Sequence, residues 1–318
     1  LMRILMVASE ALPWSKTGGL ADVVGALPRA LHRLGHAVDV VLPLYRGVDP
    51  GPHIEGVVRV EWAAETQALT VATVDCGTHR AHLVRHDLSF DRPGLYGEQG
   101  VDYEDNPARF GLLCAAALAV ADQLPEPVDV IHAHDWQAGL VPALLRTGRC
   151  PARLRQTPTV FTIHNLAYQG VFDSSWLPRL GLGWDLLRVE TLEYWGRISY
   201  LKGGVLLSDV VTTVSPRYAQ EIQTPEFGFG FEGIMRARAE ALVGILNGID
   251  AAEWNPATDP HLSKPFDAAH LAAKRHTKRH VLETYGLPAD KAALSRPLVG
   301  MISRMVDQKG LDIISRVA

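Results

Sequence analysis

Residues 3–8 form a short apolar segment. Leu20, Val23, Val24, Leu27, Leu31 and Leu34 then recur at helical spacing, and a second apolar segment follows at 37–42. Strand, helix, strand in that order predicts two parallel strands joined by a right-handed crossover. Gly35 supplies the helix stop, and Pro28 inside the pattern predicts a kink. Further apolar segments at 128–132, 159–164 and 210–214, separated by helical patterns, continue the rhythm. The expected fold class is therefore α/β, built on doubly wound parallel sheets. In such sheets ligands bind outside the carboxyl ends of the strands, so the loops that follow the strands are the places to search.

The rest of the chain qualifies this frame. Residues 57–85 read as an antiparallel insert. Asn106-Pro107 and Ser215-Pro216 read as helix caps followed by an N1 proline, and Asn247-Gly248 ends a strand at 242–246. From 251 to 293 the chain turns polar and helical, as a connector would. A new buried strand at 297–302 and a helix start near 311 then open a second βα unit. The expected division is 1–248 for the first domain, with 249–318 as connector and start of a second, similar domain that is largely missing. A first residue Leu with Met behind it, and a helical pattern broken off at the last residue, point to a piece of a longer protein.

A net charge of −4 excludes a globally basic nucleic-acid binder. The longest apolar run, 112–121, is about half of a membrane span. The N-terminal apolar stretch is too short for a signal sequence. Three widely spaced cysteines (Cys76, Cys114, Cys150) suggest reduced thiols and a cytoplasmic location.

Candidate chemistry sits after the strands. Lys16-Thr17-Gly18-Gly19-Leu20 opens the first helix; paired glycines let backbone N–H groups approach an anion, and Lys16 adds charge. No G-x-G-x-x-G fingerprint is read in the chain, and no P-loop, against NAD binding and ATP hydrolysis. In His132-Ala133-His134-Asp135-Trp136, Asp135 stands where it would cap the next helix, while His132 and His134 share a strand face as metal ligands would. His276 and His280 share a helix face but read as surface residues. His164 and Asn165 leave a buried strand, where they suit a polyol better than a core. Tyr96 and Tyr103 flank an acidic, glycine-rich loop that suits either sugar stacking or simple packing. Arg304 and Lys309 flank a tight loop at a helix start, a setting for a diphosphate.

In order and spacing, Lys16-Thr17-Gly18-Gly19-Leu20, His132 to Trp136, Thr162 to Gly170, Ser215-Pro216, Asn247-Gly248-Ile249-Asp250 and Ser303-Arg304…Gln308-Lys309-Gly310-Leu311-Asp312 together resemble bacterial glycogen synthase and plant starch synthase. The resemblance implies a GT-B fold, two Rossmann-like domains facing a cleft. It implies glucose transfer from ADP-glucose to the non-reducing end of an α-1,4-glucan, with retention and without a metal or other cofactor. It places Lys16, Gly18 and Gly19 by the donor, and Arg304 and Lys309 at the diphosphate. His164 and Asp135 would line the glucosyl pocket with Asn247 close by, and Asp22 and Tyr96 would lie near donor or acceptor. No nucleic-acid or membrane partner is implied. Three other readings compete: a GT-B enzyme using UDP-glucose, a non-catalytic glucan-binding module, and a metal-dependent hydrolase built on His132, His134 and His164.

Overall fold

The computed structural model describes residues 1–63, 65–303, 305 and 309–317. Arg304 therefore lies outside the described residues. The chain divides into two compact units, Leu1–Asn247 and Gly248–Ala318.

The first unit is organised on one nine-stranded sheet. Its strands are β1 (Arg3–Val7), β2 (Ala37–Pro43), β3 (Ile54–Trp62), β4 (Glu65–Asp75), β5 (Arg80–Arg85), β6 (Val130–His134), β7 (Thr159–Ile163), β8 (Val210–Thr213) and β9 (Leu242–Gly244). In space they run β9-β8-β7-β6-β1-β2-β5-β4-β3. All neighbours from β9 to β5 pair parallel, as the βα rhythm predicts, while β5-β4 and β4-β3 pair antiparallel. The antiparallel segment is thus no separate insert: β5 lies parallel to β2 and merges it into the main sheet. Arg80 and His82 of β5 lock that seam by bonding the buried carboxylate of Asp39 on β2 at 2.8 Å each. Both partners hold the Asp39 pKa below its ordinary value against the opposing effect of burial.

Apolar side chains fill both faces of the sheet. Leu20 and Val24 of α1 (Gly19–Arg33) cover one face with Met6, Val40 and Leu83. Helix α2 (Asn106–Gln123) covers the other and is buried nearly all round, with Phe110, Leu113 and Leu118 against Leu5, Val41 and Trp136. The helix α1 runs unbroken through Pro28 and ends at Gly35, whose φ of +88° suits a glycine. The cap of α2 falls one residue earlier than expected, at Asp105, which makes no side-chain cap. Asn106 is occupied elsewhere: its amide accepts from the buried Arg109 at 2.6 Å and donates to the Tyr96 carbonyl at 2.9 Å. Ser215 does cap its helix, accepting from the Tyr218 amide at 2.8 Å.

The second unit carries helices at Lys274–Thr284 and Lys291–Ser295, tied by Lys278 donating to the Leu294 carbonyl at 2.9 Å, and a helix at Leu311–Val317. His276 and His280 are exposed, as read from the sequence. The apolar stretch 297–302 is not a strand, and Val299 and Ile302 are 91% and 104% exposed. A strand needs a ladder partner, and no described residue pairs with this stretch. Among the described residues no helix is long and apolar enough to cross a membrane.

Candidate ligand site at the strand carboxyl ends

Connectivity alone selects the place. From β1 the chain passes to β2 and onward to β5, then returns to β6 on the other side of β1 and proceeds to β9. The reversal between β1 and β6 is a topological switch point, where adjacent loops part and leave a crevice. The residues leaving β1, β6 and β7 there are Ser9-Glu10, Asp135 and His164-Asn165.

Asp135 has an unusual backbone, with φ 55° and ψ −177°. This combination is nearly confined to glycine and costs about 1–3 kcal/mol elsewhere, so it persists only where surroundings impose it. Its carboxylate makes no cap with the turn Trp136–Ala138 that follows, which corrects the capping reading. Instead Oδ1 accepts the His164 amide at 2.7 Å, and the Asn165 amide also bonds the carboxylate. Its own amide donates to the Thr162 carbonyl at 2.9 Å, so the exits of β6 and β7 are stitched together. Burial raises the Asp135 pKa, while His164 and the two amides pull it down. Trp136 then anchors the loop, edge-on to Phe110 at 5.0 Å and to Phe172 at 5.5 Å.

The histidines form a stack. His132 and His134 rings lie 4.1 Å apart, His134 and His164 rings 5.3 Å apart, with Nδ1 of His134 at 3.0 Å from Nε2 of His164. Nε2 of His132 bonds the Thr162 hydroxyl at 2.6 Å, which bonds Thr212 at 2.6 Å. Burial depresses all three pKa values, His132 to about 3; repulsion from neighbouring rings adds to this at His132 and His134, while Asp135 opposes it at His164. His132 Nε2, His134 Nδ1 and His164 Nε2 are each taken up by these contacts. Among the described residues no group of three His, Cys, Asp or Glu is arranged to hold a metal ion.

The β1 exit is built on a residue not singled out from the sequence. Glu10 is 3% exposed. Its carboxylate accepts from the Thr17 amide, from the Thr17 hydroxyl at 2.6 Å and from the Tyr96 hydroxyl at 2.5 Å. The Tyr96 hydroxyl also bonds Ser9 at 2.7 Å, and its ring packs against Phe110. Tyr103 lies under the guanidinium groups of Arg92 and Arg109. Both tyrosines are therefore engaged in packing and hydrogen bonding, the simpler of the two expectations. An acidic residue directly after a buried strand is the sequence signal that could have found Glu10.

Glu10 thus holds the turn that leads into α1. Gly18 and Gly19 need no positive φ there, and a Cβ on either would meet nothing within 4 Å, so the helix N-terminus is open. Lys16 does not offer an isolated charge: its Nζ pairs with Asp22 at 2.6 Å. Asn247 is exposed beyond β9, three strands from the switch point, and is not brought against Asp135 or His164. Lys309 is exposed in the second unit. One G-x-G-x-x-G run does occur, Gly228 to Gly233, but it follows a turn and not a strand, so the dinucleotide context is absent.

The loop after β7 returns through Gly170 at φ +55°, where a Cβ would sit 2.7 Å from the Trp136 ring. Gly170→Ala combines a disfavoured φ with overpacking and is expected to cost about 2–3 kcal/mol. Urea unfolding of the variant beside the parent measures it.

Fold and site define an α/β protein with a candidate ligand site at the switch point of a doubly wound sheet. Residues 3–237 match the family model for the starch synthase catalytic domain. The glycogen synthase of Anaeromyxobacter sp. (strain Fw109-5) is 46% identical over 98% of this chain and 65% of its own length. That of Koribacter versatilis (strain Ellin345) is 45% identical over 99% and 65%. The catalytic domain of starch synthase IV from Arabidopsis thaliana, bound to ADP and acarbose, superposes with a TM-score of 0.91 at 34% identity, covering 99% of this chain and 65% of that one. The chain belongs to the starch synthase catalytic domain family and has its GT-B-type α/β fold. It spans 65% of the length of these relatives.

Proposed function

We propose that the gene product transfers glucose from ADP-glucose to the non-reducing end of an α-1,4-glucan, glycogen or a related primer, with retention of configuration and without a metal or other cofactor. The observation that carries this reading is the strained Asp135 carboxylate fixed beside His164 at the switch point. The identity to glycogen synthases supports it, as does the ADP and acarbose bound by the Arabidopsis enzyme. Cleavage of a glycosyl phosphate puts negative charge on the departing diphosphate and positive charge on the ring, so fixed cations and fixed anionic or polar groups are the stabilisers such a reaction needs. Asp135 and His164 face the sugar. Gly18, Gly19 and the α1 N-terminus attract donor phosphate, with Lys16 and Asp22 as a pair at its rim. Tyr96 and Glu10 hold that turn. The proposed setting is the cytoplasm, consistent with three unpaired thiols.

The test incubates the complete gene product with glycogen and either ADP-glucose or UDP-glucose. Nucleotide release matched by chain extension, fastest with ADP-glucose, is expected. Preference for UDP-glucose would replace the donor assignment, and glucan binding without turnover would replace the enzyme by a binding module. In the same assay Arg304→Ala and Lys309→Ala are each expected to lower kcat by roughly 10²–10³-fold, with glucan affinity unchanged. Near-normal kcat in both would remove the leaving-group assignment.

A further inference from the structure

His134 is wholly buried at the end of β6, and its two ring nitrogens differ sharply. Nδ1 lies 3.0 Å from Nε2 of His164. Nε2 is buried with no described protein group within hydrogen-bonding distance. Burial keeps both rings neutral near pH 7, so the Nδ1···Nε2 contact contains a single proton, and it can belong to either ring.

If the proton belongs to His164, His134 must carry its own proton on Nε2, as a buried donor with no acceptor. If it belongs to His134, the same Nε2 is a bare lone pair. A buried N–H without a partner is the rarer and costlier defect. The second arrangement therefore holds, and it propagates: His164 accepts at Nε2 and must carry its proton on Nδ1. That nitrogen makes no hydrogen bond with any described residue, and it is not among the buried unpartnered atoms.

We propose that His134 is a positioning residue: by donating from Nδ1 it fixes His164 as the Nδ1–H tautomer, so that His164 presents a hydrogen-bond donor to an oxygen of the bound ligand. Asp135 holds the His164 backbone amide from one side and His134 holds the ring from the other. Orientation and tautomer are thus set before any ligand arrives. The ligand atom opposite His164 is an acceptor, a sugar hydroxyl or donor oxygen, on the reading that this is the glucosyl site.

The tautomer is read without substrate, by ¹⁵N NMR of the complete gene product labelled at histidine, with His164 and His134 assigned by their absence in single variants. Protonated Nδ1 on both rings is expected, and a protonated Nε2 on His164 overturns the proposal. A variant pair provides the second readout. In His134→Asn the side-chain amide lies near the Nδ1 position and can still donate, whereas His134→Leu cannot. The leucine variant is expected to lose about 10–100-fold in kcat, the scale of losing an orienting partner, with KM for glucan unchanged and His164 shifted toward Nε2–H. The asparagine variant is expected to recover most of kcat and the Nδ1–H signature. Equal loss in both variants overturns the donor role. Should the leucine variant not fold, the wild-type spectrum decides alone. A gene product with the expected tautomers and no glucosyl transfer would sink the functional reading and leave this assignment standing.

Discussion

Asp135→Asn is expected to lower glucosyl transfer by roughly 10²–10³-fold, the cost of removing one preorganised electrostatic stabiliser, while the protein stays folded. The φ 55°, ψ −177° backbone strains Asn no more than Asp, and the Asn Oδ1 can still accept the His164 amide. Its NH₂ cannot accept the Asn165 amide, so about 1–2 kcal/mol of stability is lost, a fall of a few degrees in Tm for a chain of this size. Two further variants separate strain from chemistry. Asp135→Gly relieves the φ 55°, ψ −177° backbone, and Asp135→Ala keeps the strain while losing the carboxylate. Glycine should therefore melt above alanine although neither turns over. An Asn variant with wild-type kcat would leave Asp135 as a clasp between β6 and β7 and nothing more.

What the sequence disclosed, and what it hid, follows the range of the interactions. Local signals read well: the spacing of Leu20 to Leu34, the stop at Gly35 and the cap at Ser215 are each decided within a few residues. The neighbourhood of Asp135 and His164 was also legible, because successive strands of a βα series pair side by side, as β6 and β7 do. Partners far apart in the chain were not. Tyr96 meets Glu10 across 86 residues and Arg80 meets Asp39 across 41, and no periodicity encodes either pairing. The antiparallel segment looked like an insert for the same reason, since its join to the sheet is the long-range pairing of β5 with β2. Lys16 and Asp22 stand six residues apart, one on the turn and one in the helix, so neither strand nor helix spacing announces their ion pair. The apolar residues 297–302 carry a strand's composition, but composition cannot supply the neighbouring strand that would make it one.

Acid is expected to weaken the folded chain well before carboxylates titrate. His132, His134 and His164 all have folded pKa values below the ordinary 6.5 because burial penalises their charged forms. Above pH 6.5 both folded and unfolded chains hold them neutral, and stability is flat. Below it the unfolded chain takes up protons that the folded chain refuses, so stability falls by up to about 1.4 kcal/mol per pH unit for each such histidine. From pH 6.5 to 5, His132, with a folded pKa of about 3, contributes a loss of about 1.6 kcal/mol, and His134, held well below its ordinary value, adds to it; a domain is held together by roughly 5–15 kcal/mol. His164 adds to the loss until it protonates, and the more exposed His79 and His86, also depressed by burial, act in the same direction. Asp135, raised by burial, works with the opposite sign once pH falls through its folded pKa. Asp39, held low by Arg80 and His82, matters only near pH 4 and below. Urea unfolding at half-unit steps from pH 7.5 to 5 measures the slope. His132→Gln keeps a group able to bond Thr162 but cannot titrate, and should reduce the slope by about one proton. Stability that is flat from pH 6.5 to 5 would mean that the stack takes up charge in the folded state, and with it the neutral, tautomerically fixed His164 would fall.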